Sequence, residues 1–320
     1  MPAAIQLRGV SKSYGKVRAL QNLDLDIPAG GVYGLLGPNG SGKTTTLRMI
    51  TGILLPDAGR IEIFGHAAGR ASRDLLGYLP EERGLYPKMK LREQLVFFAR
   101  LKSVPRAEAE RRAGYWLERL ELQDWGGRRL NELSKGMQQK AQFAVSLLGE
   151  PRVLILDEMT SGLDPVNAEL VRQILLEQRA AGKTILFSTH RMEDAERLCD
   201  SICLIARGRK LLDGDINEVR ARAGRQTARL DFRGDAGLLQ QAPGVLQADL
   251  YGNYAELRLA QPDQAPALLR WLAPRLEITR FELLQPTLNQ IFLETVARGG
   301  ETAEPHPGEA AAAGSEATHA

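Results

Sequence analysis

The sequence of 320 residues predicts an α/β fold centred on a parallel β-sheet with connecting helices. Three observations lead to this prediction. An apolar segment at 32–36 runs into a glycine-rich loop and a helix-forming segment, and a continuously apolar segment at 152–158 ends in two carboxylates. Between residues 4 and 30, in contrast, apolar and polar residues alternate. That alternation predicts an additional antiparallel sheet with one buried face.

The glycine-rich loop follows the pattern G-x-x-x-x-G-K-[ST] between a predicted strand and a predicted helix. Its residues are Gly37, Pro38, Asn39, Gly40, Ser41, Gly42, Lys43 and Thr44, with Thr45 next in the helix. Glycines let the backbone N–H groups turn inward around phosphates. Lysine can reach the β- and γ-phosphates, and the threonine hydroxyl can ligate magnesium. A turn before an ordinary helix is the alternative, but the complete pattern in this context favours nucleotide binding.

The N-terminal alternation predicts two or three antiparallel strands within residues 4–30, and a further strand at 60–64. Tyr14 lies in the turn between the first strands. From its position alone, this tyrosine is either a packing residue at the rim or a platform on which a nucleotide base stacks.

A helical insertion, at about 85–149, interrupts the strands of the predicted parallel sheet. A strand at 75–79 precedes it, and residues 91–149 carry apolar residues at helical spacing. Strands and helices then alternate, which is typical of a parallel sheet with crossover helices. The predicted segments are a strand at 152–158, a helix at 166–180, a strand at 184–189, a helix at 191–199 and a strand at 201–206.

Two further regions follow the main domain, which we place at residues 4–215. Residues 225–297 predict a small C-terminal α/β domain, because strand-like alternation and helical segments occur there without continuing the parallel sheet. The tail at 298–320 has no large apolar residue, so we expect it to be disordered.

Composition narrows the possible classes of protein. The chain is 43% hydrophobic and 25% charged, with a net charge of +3 and mixed signs along its length, which does not favour nucleic acid as a partner. It has neither a membrane-spanning apolar stretch nor a signal-peptide core, so we expect a cytoplasmic protein. Cys199 and Cys203 are the only cysteines, and we predict buried structural thiols.

Asp157 and Glu158 come directly after a buried strand. We expect the Asp157 carboxylate to hold magnesium opposite Thr44, and Glu158 to deprotonate the attacking water. An acidic pair that merely caps the strand end is the alternative, which the glycine-rich loop upstream makes less favoured. No Asn-Lys-x-Asp guanine-reading motif is present, which argues against a GTPase.

The segment Leu133–Gln138, LSKGMQ, resembles the signature motif of ABC-type ATPases, with Lys135 and Met137 where glycine and glutamine are more usual. The family's other motifs occur in the family's order over residues 4–215. They are Tyr14 for the adenine-stacking aromatic, Pro80-Glu81 at the Q-loop, Val153–Glu158 for the second phosphate-site motif, Ser161–Asp164 for the D-loop and His190 for the switch histidine.

This resemblance implies a P-loop NTPase (RecA-like) core that binds ATP and Mg²⁺ and hydrolyses ATP. Lys43, Glu158 and His190 would be catalytic, and Thr44, Asp157 and Glu81 would face the metal. Ser134, Lys135, Gly136 and Asp164 would contact ATP held by the other cassette of a head-to-tail dimer, which is a second copy or a paralogous ATPase. Read locally, Ser134 is only a helix cap and His190 a packed core histidine.

The resemblance also implies a separate transmembrane permease chain as partner, and a peripheral position on the cytoplasmic face of the membrane. Residues 77–86 and 281–296 resemble bacterial sodium- or drug-efflux (ABC-2 exporter type) ATPases with a small C-terminal domain. A soluble ABC-type ATPase with a regulatory role, and an ATP sensor that hardly hydrolyses, are the alternatives.

Two further residues depart from the family pattern. Glu81 stands where glutamine is usual, and its charge could bind magnesium more firmly or repel the phosphates. Met159 stands where proline is common after the glutamate, and we expect the protein to tolerate it.

Overall fold

A computed structural model describes residues 3–82, 84–160, 162–223, 227–284 and 286–300, with the backbone only at 262 and 297–300. The chain separates into two compact units, the first ending at Arg222 and the second beginning at Ala223. The predicted domain bounds of 4–215 and 225–297 stay predictions. Residue 225 and the segment 301–320 of the predicted tail lie outside the described residues.

The elements up to residue 223 follow the predicted order of strands and helices. They are Ala3–Tyr14 (β1), Val17–Pro28 (β2), Val32–Leu36 (β3), Lys43–Ile50 (α1), Ala58–Ile63 (β4), His66–Ala67 (β5), Leu76–Leu79 (β6), Leu91–Leu101 (α2), Arg106–Arg119 (α3), Lys135–Leu147 (α4), Val153–Asp157 (β7), Pro165–Ala180 (α5), Thr184–Thr189 (β8), Met192–Leu198 (α6), Ser201–Ala206 (β9), Arg209–Asp215 (β10) and Ile216–Ala223 (α7).

The predicted antiparallel sheet is confirmed and has the order β2-β1-β4-β5. Residues 4–30 supply two of its strands, β1 and β2. Alternate residues of β2, including Leu23, Leu25 and Ile27, are buried against α1 and one face of the parallel sheet. The two sheets therefore share one continuous apolar core.

The predicted parallel sheet is also confirmed, in the order β10-β9-β3-β8-β7-β6. Strands β3, β7 and β8 are buried at every residue, as expected for strands covered on both faces. Only the pairing of β10 with β9 is antiparallel. The predicted buried thiols, Cys199 and Cys203, are free and buried, and burial raises the pKa of each.

The helical insertion consists of α2, α3 and α4, which pack on one another, and α4 also packs on β6. Among the described residues, no helix combines the length and the apolarity that crossing a membrane requires.

The second unit contains a β-α-β-β-α-β arrangement followed by a helix. Its elements are Thr227–Arg233 (β11), Gly237–Gln240 (α8), Val245–Tyr251 (β12), Tyr254–Leu259 (β13), Ala265–Leu272 (α9), Glu277–Leu284 (β14) and Leu288–Gly300 (α10). The strands form an antiparallel sheet in the order β12-β13-β11-β14, the ferredoxin-like topology. Alternate residues of β11 and β13 face α9 in a separate apolar core.

The contact of β6 with α4 depends on Gly77. A Cβ atom at this position would lie 2.0 Å from the carbonyl oxygen of Ser146 and 2.8 Å from Cγ of Pro151. We expect Gly77→Ala to lower the free energy of unfolding by about 1–3 kcal/mol, because the backbone must move to admit the methyl group. Denaturant unfolding measures the loss. Gly127→Ala, where the same atom meets open space, is the control, and equal stability of the two variants would contradict the prediction.

Candidate active site

The carboxyl ends of three neighbouring strands bring the predicted catalytic residues to one edge of the parallel sheet. Leu36, the last residue of β3, pairs with Thr189 of β8, and Asp157 at the end of β7 pairs with Ser188. The glycine-rich loop follows β3, Glu158 follows β7, and His190 follows β8. Sheet order therefore places side chains that are more than a hundred residues apart in the sequence beside one another.

The glycine-rich loop connects β3 to α1. Gly37 has φ +150°, and a Cβ atom there would lie 2.1 Å from the carbonyl oxygen of Ile205, so only glycine fits. Pro38, Asn39 and Gly40 form the exposed tip. Gly42 precedes the first turn of α1, in which Thr44 and Thr45 are half-buried. The free N–H groups of this helix start provide a site for an anion.

Lys43 lies under the loop with only 6% of its surface exposed. Its Nζ donates hydrogen bonds to the carbonyl oxygens of Gly37 (2.8 Å) and Pro38 (3.0 Å). Burial lowers the pKa of the Lys43 amine, and the charges of Glu158, Asp157 and Glu81 oppose that shift. The lysine charge is therefore held among acidic groups at the mouth of the loop.

Asp157 is completely buried, and its carboxylate has one free oxygen. The Ser188 hydroxyl donates a hydrogen bond to Oδ1. Within the described part of the chain, Oδ2 has no hydrogen-bond partner, and neither has the buried Oγ of Ser41. A buried carboxylate oxygen without a donor fits a site for a hard cation such as Mg²⁺, which takes one or two protein oxygens and completes its shell with water and phosphate. Accordingly, the described residues contain no group of three or more His, Cys, Asp or Glu that could hold a metal alone.

Glu158 and His190 form a carboxylate–imidazole pair. Oε1 of Glu158 lies 2.9 Å from Nδ1 of His190. The side chain of Glu158 is 10% exposed, whereas that of His190 is 51% exposed. Glu158 has φ +51°, and its N–H donates to the carbonyl oxygen of Ser188 at 3.2 Å. The pair can hold a carboxylate in place as a proton acceptor.

Two other predicted residues, Glu81 and Tyr14, are exposed. Glu81 lies just after β6, and its charge is one of those that oppose the lowering of the Lys43 pKa by burial. Tyr14 ends β1 and is 49% exposed, so its ring is available for stacking. The site roles predicted for both residues stay predictions.

The residues predicted to contact ATP from another cassette lie at the starts of two helices. Ser134 caps α4, accepting a hydrogen bond from the Met137 N–H at 3.3 Å, and Lys135 and Gly136 begin that helix. Asp164 caps α5, accepting hydrogen bonds from the N–H groups of residues 166 and 167. In the described ranges, no hydrogen bond or ion pair joins these residues to the glycine-rich loop. Ser161 of the D-loop motif lies outside the described residues.

Two supporting residues were not predicted from the sequence. Ser188 holds the Asp157 carboxylate, and Gln142 of α4 donates from Nε2 to the carbonyl oxygens of Pro80 (3.1 Å) and Glu82 (3.0 Å). Gln142 thereby fixes the segment that carries Glu81. The only feature of the sequence that could have predicted the role of Ser188 is a polar residue next to the end of a buried strand.

The fold and the site together define a P-loop ATPase. The chain belongs to the ABC transporter family of ATP-binding proteins, as comparisons with known proteins show. The ABC transporter family model matches residues 20–161, and the model of the C-terminal domain of DrrA1-3-like ATP-binding proteins matches residues 214–296.

Relatives match over nearly the whole chain. The uncharacterized ABC transporter ATP-binding protein YhaQ of Bacillus subtilis is 42% identical, covering 90% of this chain and 96% of the relative. The daunorubicin resistance ATP-binding protein DrrA3 of Streptomyces coeruleorubidus is 36% identical, covering 91% and 95%. A solved ATP-binding cassette, described as dimeric in a post-hydrolysis state with ADP and phosphate, is 26% identical with a TM-score of 0.62, covering 66% and 98%.

The Ser188 hydroxyl stabilises the buried Asp157 carboxylate. We expect Ser188→Ala to lower the free energy of unfolding by about 1–3 kcal/mol, because a buried charge loses its donor. A double-mutant cycle with Asp157→Ala, followed by denaturant unfolding, measures the coupling. The Ser188 substitution should cost much less in the Asp157→Ala background, and an equal cost in both backgrounds would contradict the interpretation.

Proposed function

We propose that the chain is the ATP-hydrolysing subunit of a bacterial ABC exporter, in which two cassettes close on ATP and drive a separate membrane-spanning chain. The observation that carries this proposal is the match to a drug-resistance ATP-binding protein over both units. A match limited to the cassette would be shared with ABC ATPases of many functions. The match of residues 214–296 to the C-terminal domain of DrrA1-3-like proteins restricts the comparison to a smaller class of ABC ATPases.

The glycine-rich loop binds the triphosphate of ATP in this proposal. The N–H groups of the loop from Asn39 to Thr45 face the phosphate oxygens, and Lys43 exchanges its loop carbonyls for the β- and γ-phosphates. The lysine is pre-positioned, since its two carbonyl partners belong to the loop itself. The exposed ring of Tyr14 stacks on the adenine.

Asp157, through its free Oδ2, and the Thr44 hydroxyl would hold Mg²⁺, and Glu81, whose charge acts on Lys43, would influence the ion. When bound, the ion neutralises charge on the β- and γ-phosphate oxygens. The Asp157–Ser188 hydrogen bond fixes the carboxylate, so the free oxygen keeps one direction.

Glu158 accepts the proton of the water that attacks the γ-phosphate. His190 holds Oε1 of this carboxylate through Nδ1, and the exposed part of its ring is directed to the phosphate. Backbone bonding of Glu158 to Ser188 limits movement of the base, so catalysis depends on positioning and on charge.

A second cassette completes the site. Ser134, Lys135 and Gly136 form the accessible start of α4, whose N–H groups and dipole suit a phosphate. Among the described residues, no phosphate-binding group of the same unit is bonded to them. With Asp164, these residues contact ATP held by the opposite loop. The complex lies on the cytoplasmic face of the membrane, where the helical insertion contacts the membrane-spanning chain.

Glu158→Gln tests the assignment of the base. We expect ATP binding to persist and hydrolysis to fall by about 100-fold or more, because a general base contributes about 10²–10⁴ to the rate. With ATP bound but not hydrolysed, the dimer should accumulate. Phosphate release and light scattering measure the two effects.

The control for that experiment is Glu193→Gln, which neutralises an exposed carboxylate on α6. It should hydrolyse ATP at the unsubstituted rate. Retained hydrolysis in Glu158→Gln, or an ATP-loaded variant that stays monomeric at every concentration, would contradict the mechanism.

Pull-down of the trapped dimer from solubilised membranes should recover a chain with apolar spans of about 20 residues, and the absence of such a chain would favour a regulatory module.

Glu81→Gln tests the role of the extra charge. We expect the Mg²⁺ concentration for half-maximal hydrolysis to rise about two- to five-fold, because an exposed carboxylate attracts the ion by at most about 1 kcal/mol more than an amide. Glu82→Gln, the adjacent exposed carboxylate, is the matched control. Unchanged magnesium dependence together with unchanged turnover would remove Glu81 from the site.

A further inference from the structure

The sheet of the second unit has two edges, formed by β12 and β14. Within the ranges that the structure describes, no strand pairs with the outer side of either. An unpaired edge presents N–H and C=O groups that can accept another strand, and proteins usually protect such edges with charges, proline or bulges.

The open backbone groups of β12 can be assigned from its hairpin. Tyr251 pairs with Tyr254 across a two-residue turn in which Gly252 has φ +61°. The pair that closes such a turn exchanges both hydrogen bonds, and the pattern alternates from there. Ala248 and Leu250 therefore direct their N–H and C=O groups away from β13, toward the open edge.

The two edges differ in protection. The eight residues of β14 include Glu277, Arg280 and Glu282. The pairing of each edge strand with its neighbour is irregular at one point, which in β12 lies between Val245 and Gln247. Strand β12, with the sequence VLQADLY, carries one charge, Asp249, and no proline, lysine or arginine. Leu246 and Leu250 remain 68% and 48% exposed. The edge of β12 is thus apolar and open.

The residues of β12 are complementary to themselves in an antiparallel arrangement. We propose that β12 pairs with β12 of a second copy of this chain, centred on Ala248, to form one eight-stranded sheet. In this register Gln247 faces Asp249 of the second copy, and Leu246, at the irregular point of β12, lies opposite its Leu250. The small Ala248 faces its equivalent at the two-fold axis.

Charge supports this register. The single carboxylate of the strand meets an amide that can donate to it, rather than a second carboxylate, which would be repelled directly across the pair. Gln247 already donates to Asp249 of its own strand at 2.9 Å, so the two side chains are compatible. Pairing would cover both exposed leucines, each with an apolar partner.

This association does not depend on the proposed function. It needs no nucleotide, whereas closure of the cassettes requires ATP. Failure of one can therefore be distinguished from failure of the other by adding or omitting ATP.

The first test uses a disulfide in the full-length chain without nucleotide. Paired residues on antiparallel strands have Cα atoms about 4.5–5.5 Å apart, which a disulfide can span. Ala248→Cys should therefore give a cross-linked dimer under mild oxidation. Leu246→Cys is the control, because the two Leu246 positions would be about 13 Å apart along the paired strands. Cys199 and Cys203 are buried and should not compete.

The second test places opposite charges at positions 246 and 250 to determine the register of the two paired strands. Leu246→Lys and Leu250→Asp should each raise the dimer dissociation constant about ten-fold or more without nucleotide, measured by sedimentation. The double variant should recover much of the affinity, because each lysine faces an aspartate of the second copy. Within one strand the two positions are about 13 Å apart and cannot pair.

A cross-link at Ala248 together with recovery in the double variant would support the proposal. A nucleotide-free chain that is monomeric at all concentrations would overturn it. So would equal cross-linking at Ala248 and Leu246, or a double variant as weak as the single ones, or capture of a different chain at Ala248. ATP-dependent association should persist in all these variants, because none alters the cassette.

Discussion

The adjacency of β3, β8 and β7 in the parallel sheet is the constraint on which the site depends. Each strand ends at the same edge, so the loop after β3, Glu158 after β7 and His190 after β8 meet without any of them being local to another. Complete burial of the three strands makes this order expensive to alter, since any exchange would expose continuous apolar runs. The catalytic geometry is therefore fixed by the core rather than by loops.

The sequence predicts the elements of this arrangement better than their contacts. The loop residues from Gly37 to Thr44 and the carboxylates 157 and 158 are adjacent in the chain and carry their chemistry in their spacing. The spacing of Ser188 and Gln142 carries no such information, because each acts through a partner that strand register or helix packing brings near. A hydrogen bond between residues 31 or 62 positions apart leaves no periodic signal for a single sequence to show.

The helix starts at Ser134 and Asp164 show a different limit of prediction from a single sequence. Each satisfies its own helix, so a single chain explains both residues as caps. Their predicted contact with nucleotide involves another molecule, and neither periodicity nor the geometry of one chain can derive it. What the structure adds is that both helix starts are exposed while Lys43, Asp157 and Glu158 are buried. The proposed site is thus divided between a protected half with Lys43, Asp157 and Glu158 and an accessible half with the two helix starts.

A site divided in this way is complete only when two copies associate. In the proposed closure over ATP, two exposed helix starts meet two glycine-rich loops, and each encounter between separate chains has an entropic cost. A permanent link elsewhere in the chain would make closure intramolecular and raise the effective concentration of the second cassette. The weakly charged, self-complementary edge of β12 provides a surface for such a link in the proposed dimer. Its one carboxylate is offset from the two-fold axis, as a strand that pairs with itself requires.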